Sequence, residues 1–321
     1  AKIFLDANEN SFGSPLERKY NRYPDPLQLK VKEKLSKVKG IPSKNIFLGN
    51  GSDEAIDILY RAFCNPQKDN VILVPPTYGM YEVSANINDV EVRKVLLTAD
   101  YHLNTDGISE SVDENTKLFF LCSPNNPTGN SLNREDIEFV LNNFEGIVVI
   151  DEAYINFSKQ RSFISELIEY PNLVVLQTFS KAWGMAGLRV GMAFASEAII
   201  NVFNKIKPPY NINEASQKLV MNALDNIDQV NSWIQVIVLE REKLIHELKK
   251  LAFVQKVLPS DANFILIKVE NAKTIYNYLT ENGIIVRDRS KVDLCEGCLR
   301  ITVVTIVENI QLINTLKNYK T

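Results

Sequence analysis

Histidine and cysteine are scarce in this chain, at two and four copies in 321 residues. His102 and His246 stand far apart and there is no HExxH pair, which argues against a zinc-protease site. GxSxG and the phosphate-cradling GxxxxGK[ST] are missing too, and this weakens the α/β-hydrolase and P-loop readings. Cys64, Cys122, Cys295 and Cys298 have no framework spacing, and Cys295-Glu-Gly-Cys298 is one CxxC with no second pair and no histidine nearby. Neither a disulfide scaffold nor a metal site is expected, and a reducing cytoplasm is the fitting location. Charge of one sign is lacking as well: 36 Lys+Arg against 39 Asp+Glu leave a net charge of −3. That balance argues against nucleic acid or an anionic membrane surface as partner. No apolar run approaches the ~20 residues of a membrane span. The opening Ala1-Lys2-Ile3-Phe4-Leu5-Asp6 has no signal-peptide pattern. Without an initiator Met, the natural N-terminus is expected to have been trimmed or left out.

What the chain does have is a series of apolar β-rich runs, each ending in a polar or Pro/Gly cluster. Val71–Val74 leads into Pro75-Pro76-Thr77-Tyr78-Gly79, and Leu118–Leu121 into Ser123-Pro124-Asn125-Asn126-Pro127-Thr128-Gly129. Ile147–Ile150 ends at Asp151-Glu152-Ala153-Tyr154, and Leu173–Phe179 at Ser180-Lys181. Continuous apolar strands separated by helical segments such as Arg134 to Leu141 predict a mostly parallel sheet covered on both faces. Ligands of such sheets bind beyond the carboxyl ends of the strands, so Tyr78, Asn126, Asp151 and Lys181 are expected to meet in one crevice. Helical patterning resumes from Glu214 to Lys250. A smaller α/β unit follows, with strands over 263–267, 284–287 and 299–303 and a helix over 273–282. The expected division is a large domain over 26–230, and a small domain over 231–321 joined by the N-terminal segment 1–25.

Each candidate residue has a plain reading beside a chemical one. Lys181 is either an ordinary lysine of a βα loop or a desolvated amine with a lowered pKa, suited to Schiff-base chemistry. Asp151 is either a capping or ion-paired carboxylate, or the partner of a protonated pyridine nitrogen. Gly49-Asn50-Gly51-Ser52-Asp53-Glu54 precedes a helical stripe (Ala55, Ile56, Leu59, Ala62, Phe63), with Ser52 or Asp53 as N-cap. Such a helix start is an anion seat, to which Ser180 and Arg189 can add a hydroxyl and a cation. A dinucleotide loop fails here because Glu54 occupies the third glycine position. Tyr154 and Asn126 can hydrogen-bond a cofactor's phenolic oxygen. Tyr78 can stack on its ring or simply pack the loop.

The blocks LDANENSFG, NRYPDPLQ, GNGSDEAID, PPTYGMY, SPNNPTGN, VVIDEAY, TFSKAWGMAGLRVG, KPPYNIN, SDANFILIK and CLRITV resemble, in order and over nearly the whole chain, those of histidinol-phosphate aminotransferases. These are fold type I enzymes of the class II subfamily that use pyridoxal 5'-phosphate (PLP). SPNNPTG, DEAY and SKAWG are common to many fold type I aminotransferases; NRYPDP, GNGSDE and IIVRDRS with CLRITV point to this branch. The resemblance implies that Lys181 carries PLP, that Asp151 pairs with its ring nitrogen, and that Asn126 and Tyr154 hold its phenolic oxygen. Ser52, Asp53, Ser180 and Arg189 would bind its phosphate, and Tyr23 would reach that phosphate from the neighbouring subunit of a homodimer. Arg300 would take the α-carboxylate of glutamate. Arg287 would take the phosphate of histidinol phosphate or the side-chain carboxylate of glutamate, with Asn126 and Tyr23 bordering the substrate. The implied reaction converts L-histidinol phosphate and 2-oxoglutarate to imidazole-acetol phosphate and glutamate. Two departures stand out: Val304-Thr305-Ile306 replaces the usual Gly-Thr step, with room for a shift of the Arg300 strand, and the usual arm before LDANEN is missing. The rival readings are an aromatic aminotransferase or related PLP lyase or decarboxylase, a non-enzymatic PLP-binding module, and an NAD-dependent oxidoreductase.

Overall fold

The computed structural model describes residue 3, residues 5–16 and residues 20–319. Among them, seven strands form the larger sheet: β1 (Ile46–Asn50), β2 (Asn70–Leu73), β3 (Glu91–Lys94), β4 (Thr116–Cys122), β5 (Ile147–Asp151), β6 (Leu173–Thr178) and β7 (Val190–Ala195). Their order is β1-β7-β6-β5-β4-β2-β3. β3, β2, β4, β5 and β6 run parallel; β7 lies antiparallel to β6, and β1 antiparallel to β7. β1 therefore points the same way as the parallel set. The apolar runs behave as a doubly covered sheet requires. Phe119, Leu121, Val148, Ile150 and Val175 belong to one core, and Leu118, Phe120, Val149, Val174 and Leu176 to the other. The alternation is the two-residue period of a strand with both faces dry.

Helices close both faces. α1 (Leu29–Lys39) adds Val31 and Leu35 to the first core; α2 (Ser52–Phe63) and α3 (Met80–Ile87) add Ile56, Leu59 and Tyr81 to the second. α4 (Thr105–Ser111) and α5 (Arg134–Asn143) pack on the first face, α6 (Glu197–Ile206) on the second, and α7 (Glu214–Leu224) on the first again. α8 (Ile227–Leu248) belongs to two cores: Val230 packs with the large sheet, Leu244 and Leu248 with the small one.

The second sheet, ordered β10-β11-β9-β8, is built from β8 (Val254–Val257), β9 (Phe264–Val269), β10 (Arg287–Asp288) and β11 (Cys298–Thr302). α9 (Ala272–Glu281) and α10 (Ile306–Lys317) cover one face through Ile275, Leu279, Leu312 and Leu316. One expectation needs correction. The strand expected over 284–287 shrinks to Arg287–Asp288, because Gly283 turns the chain at a positive φ of 77° and Ile284 to Val286 find no ladder partner. Beside Val304, β11 keeps continuous register with β9, and Thr305 starts α10 with a reciprocal capping box with Glu308.

Candidate active site

The strand directions make the site. β1, β2, β4, β5 and β6 all end on one edge of the large sheet, and the antiparallel β7 begins there. Ser52 after β1, Tyr78 after β2, Asn126 after β4, Asp151 on β5, Lys181 after β6 and Arg189 before β7 thus reach one place. They line a cavity of about 590 Å³, together with Ser180, Asp53 and Tyr154. The small sheet adds Arg287 from its edge strand β10 and Arg300 from the neighbouring β11.

Asp151 is the buried anchor, 3% exposed. The Tyr81 hydroxyl donates to its Oδ2 (2.7 Å) and the Ala153 N–H to its Oδ1 (3.0 Å). Burial outweighs both bonds and pushes its carboxyl up to about 6. Among the described residues no cation stands within ion-pair distance of it. Lys181 is exposed and lines the cavity rather than being enclosed in the core. Its ammonium is still lowered from the ordinary range, first by partial desolvation and then by the charge of Arg300. Its Nζ lies 5.6 Å from the Tyr154 ring centroid.

One end of the cavity is an anion seat. The helix α2 begins at Ser52 with Gly51 as its N-cap, so neither Ser52 nor Asp53 caps it as expected. Gly51 takes φ 73°, and a side chain there would meet Arg189 Nη2 at 2.8 Å. Gly191 of β7 packs backbone against backbone: a Cβ would lie 2.2 Å from the Ser52 nitrogen. The two glycines let Arg189 and the unsatisfied N–H groups of the first turn share one spot. Arg189 adopts a left-handed φ of 53°, an uncommon conformation for a non-glycine residue, and donates to Asp53 Oδ2 at 3.3 Å. The Tyr78 hydroxyl donates to Asp53 Oδ1 at 3.1 Å, while its ring stands edge-on to Tyr81. Glu54, the residue that breaks the dinucleotide pattern, accepts from the Asn50 N–H (2.5 Å) and Asn211 Nδ2 (3.0 Å), tying the loop to KPPYNIN.

The opposite end is cationic. Arg287 and Arg300 face each other across the β10–β11 ladder. The Arg300 guanidinium stands 5.1 Å over the Phe264 ring and donates to Asn126 Oδ1. Burial and then the nearby charge of Arg289 pull its pKa down. Tyr154 also packs edge-on against Phe264, with its phenol pushed above the usual range by burial. The Asn126 loop is fixed from the small sheet's side, where the Asp261 N–H donates to the Gly129 carbonyl at 2.7 Å.

Tyr23 is the candidate that the chain does not bring into this cavity. It is exposed and stacks on Tyr210 at 4.4 Å, in a separate depression lined by Glu9, Arg22 and Asn213. Sequence reasoning passed over Tyr81 and Arg289. Tyr81 is fully buried and reads as core; only its hydroxyl, aimed at Asp151, gives it a role. Arg289 had a signal, since it repeats the alternation of Arg287.

This donor set fits PLP: an ionisable buried carboxylate without a cation for the ring nitrogen, an anion seat for a phosphate, and an amine on the same cavity wall.

The comparisons agree. The family model for aminotransferase class I and II matches residues 5–316. A histidinol-phosphate aminotransferase of Cytophaga hutchinsonii is 54% identical over 99% of this chain and 91% of its own length. One of Bacteroides thetaiotaomicron is 53% identical over 100% of this chain and 91% of its own. The crystal structure of the Clostridium acetobutylicum histidinol-phosphate aminotransferase superposes with a TM-score of 0.86 at 25% identity, covering 93% of this chain and 90% of that one. The Sinorhizobium meliloti enzyme, solved with pyridoxal-5'-phosphate, shares the fold at a TM-score of 0.85 and 23% identity, over 97% of this chain and 89% of that one. The chain belongs to the class I and II aminotransferases, in the branch of the histidinol-phosphate aminotransferases.

Proposed function

We propose that this chain uses PLP to transfer the amino group of L-histidinol phosphate to 2-oxoglutarate, a step of histidine biosynthesis. The observation that carries the reading is the meeting of Lys181, the buried Asp151 and the Arg287–Arg300 pair in one cavity. When bound, PLP supplies an electron sink for the pair left as the C–H bond at the amine-bearing carbon breaks. Lys181 holds the cofactor at rest. When free, its Nζ would take the proton from that carbon and hand it on to the cofactor rather than back to the same carbon, and a lowered pKa suits an amine that must be neutral to accept. Asp151 keeps the ring nitrogen protonated, while Tyr81 and Ala153 hold its two oxygens. Ser52 and Asp53, partly through their backbone N–H groups, would seat the cofactor phosphate with Ser180 and Arg189; Asn126 and Tyr154 would steady the phenolic oxygen, and Tyr78 would cover the ring.

Arg287 and Arg300 answer a problem set by the two half-reactions. Glutamate brings two carboxylates, histidinol phosphate a phosphate and no carboxylate. Guanidinium forks bind either oxyanion bidentately, so one pair serves both. We further propose a cytoplasmic homodimer in which Tyr23 completes the partner's site. The exposed Tyr23, Tyr210, Phe12 and Leu16 support this reading as an apolar surface to be covered. The chain is taken as a large domain over 26–230 and a small one over 231–321 with residues 1–25. No helix among the described residues is long and apolar enough to cross a membrane. The test is Lys181→Ala, which is expected to lower turnover by about 10³-fold or more and to abolish the pH-sensitive visible absorbance of bound PLP. Transamination at the wild-type rate would refute the role of Lys181.

A further inference from the structure

The reading above leaves one cation of the cavity unused. Arg289 lines it beside Arg287 and Arg300. Its backbone N–H donates to the Cys298 carbonyl at 2.9 Å, one rung past the two paired residues of β10. In an extended strand residues two apart share a face, so Arg289 stands on the same face as Arg287. The carboxylate next to it in sequence does not neutralise it: Asp288 Oδ1 accepts from the Ser290 N–H at 2.9 Å. Among the described residues Arg289 has no ion-pair partner, and its buried Nε has no hydrogen-bond partner. A desolvated donor without an acceptor is costly, and a bound anion removes that cost. Its charge also reaches Arg300, whose pKa it depresses more than Arg287 does.

Two arginines suffice for the paired oxygens of carboxylates. A phosphate monoester has three terminal oxygens and close to two charges near neutral pH. We infer that Arg289 is a specificity-determining residue that binds the phosphate group of the substrate and contributes little to dicarboxylates. This rests on the proposed reaction for the identity of the phosphate-bearing amine, and on the geometry alone for the preference of phosphate over carboxylate. The clustering of three guanidinium groups has a complementary effect: without an anion they repel one another, so the most highly charged ligand gains most from entering.

The test is Arg289→Gln in the PLP-loaded full-length enzyme, read in two ways. In steady-state assays kcat/KM for L-histidinol phosphate is expected to fall about tenfold, mainly through KM, with the glutamate half-reaction changed less than about twofold. In calorimetric titrations of the holoenzyme, inorganic phosphate is expected to bind about tenfold more weakly and 2-oxoglutarate within about twofold of wild type. Arg289→Lys keeps the charge without the fork and is expected to fall between. Equal loss for phosphate and dicarboxylate, no loss for either, or no phosphate binding by the wild-type holoenzyme would overturn the assignment. Should the wild type fail to transaminate histidinol phosphate, the proposed reaction falls, while the two titrations still decide the role of Arg289.

Discussion

The two walls of the cavity are built differently. The wall from the large sheet has its groups fixed by the core: Asp151 is 3% exposed with both oxygens bonded, and Gly51, Gly191 and Arg189 interlock backbone with side chain. The wall from the small sheet carries Arg287 on β10, an edge strand of two residues that are both exposed, beside Arg300 on the better-buried β11. Burial on both faces makes the first wall costly to deform, which suits a cofactor that stays in one place. Arg287 of the second wall lies exposed on a short edge strand that can adjust, which suits a site that must hold a phosphate in one half-reaction and a carboxylate in the other.

If the walls divide the work this way, substitutions should separate cofactor retention from substrate choice. After Lys181→Ala, the largest effect is expected from Asp151→Ala: loss of cofactor absorbance on gel filtration and a fall in kcat of about 10²-fold or more. A pH series sharpens the point. The Asp151 carboxyl lies near 6 in the absence of a cationic partner, above the ordinary carboxylate range. A protonated ring nitrogen pairs only with the ionised form. Cofactor affinity is therefore expected to hold above pH 6 and to weaken as pH falls through it, approaching about tenfold per pH unit; spectrophotometric titration from pH 5 to 8 measures this. Next comes the other wall. Arg287→Gln is expected to cost about 2 kcal/mol in kcat/KM for histidinol phosphate, roughly 30-fold, with the cofactor spectrum unchanged. Loss of cofactor in that variant would join the two walls that the account keeps apart. The smallest effect is expected from Tyr81→Phe. Its hydroxyl lowers the Asp151 pKa, so its removal raises that pKa further and moves the acid limb of cofactor binding to higher pH. Activity at pH 8 should change only a few-fold, in line with a hydrogen bond worth about 1 kcal/mol.

The first wall was largely legible in the sequence. Buried parallel strands leave unbroken apolar runs, and whatever polar residue follows each run must lie at the carboxyl edge; Asp151, Lys181 and Asn126 are found there for that reason. The second wall was less legible. Ile284-Ile285-Val286 has a strand's composition, yet the ladder begins only at Arg287, because pairing depends on where β11 lies and not on local propensity. Arg289 shares the β10 alternation, but whether its charge is free depends on where Asp288 turns. Tyr81 gave no signal, since a helical aromatic facing a sheet is usually plain core. The start of α2 differs from expectation by one residue: Gly51 caps it because the chain must cross β7 at Gly191, where no side chain fits.

The most direct test of the central claim, that one cavity couples PLP to a phosphate-bearing amine, is the steady-state rate of the wild-type holoenzyme with 2-oxoglutarate and either L-histidinol phosphate or phenylalanine as amino donor. The expected result is a kcat/KM for histidinol phosphate at least about 30-fold above that for phenylalanine, the value of one charge-assisted oxyanion contact. Equal or greater activity with phenylalanine would contradict it.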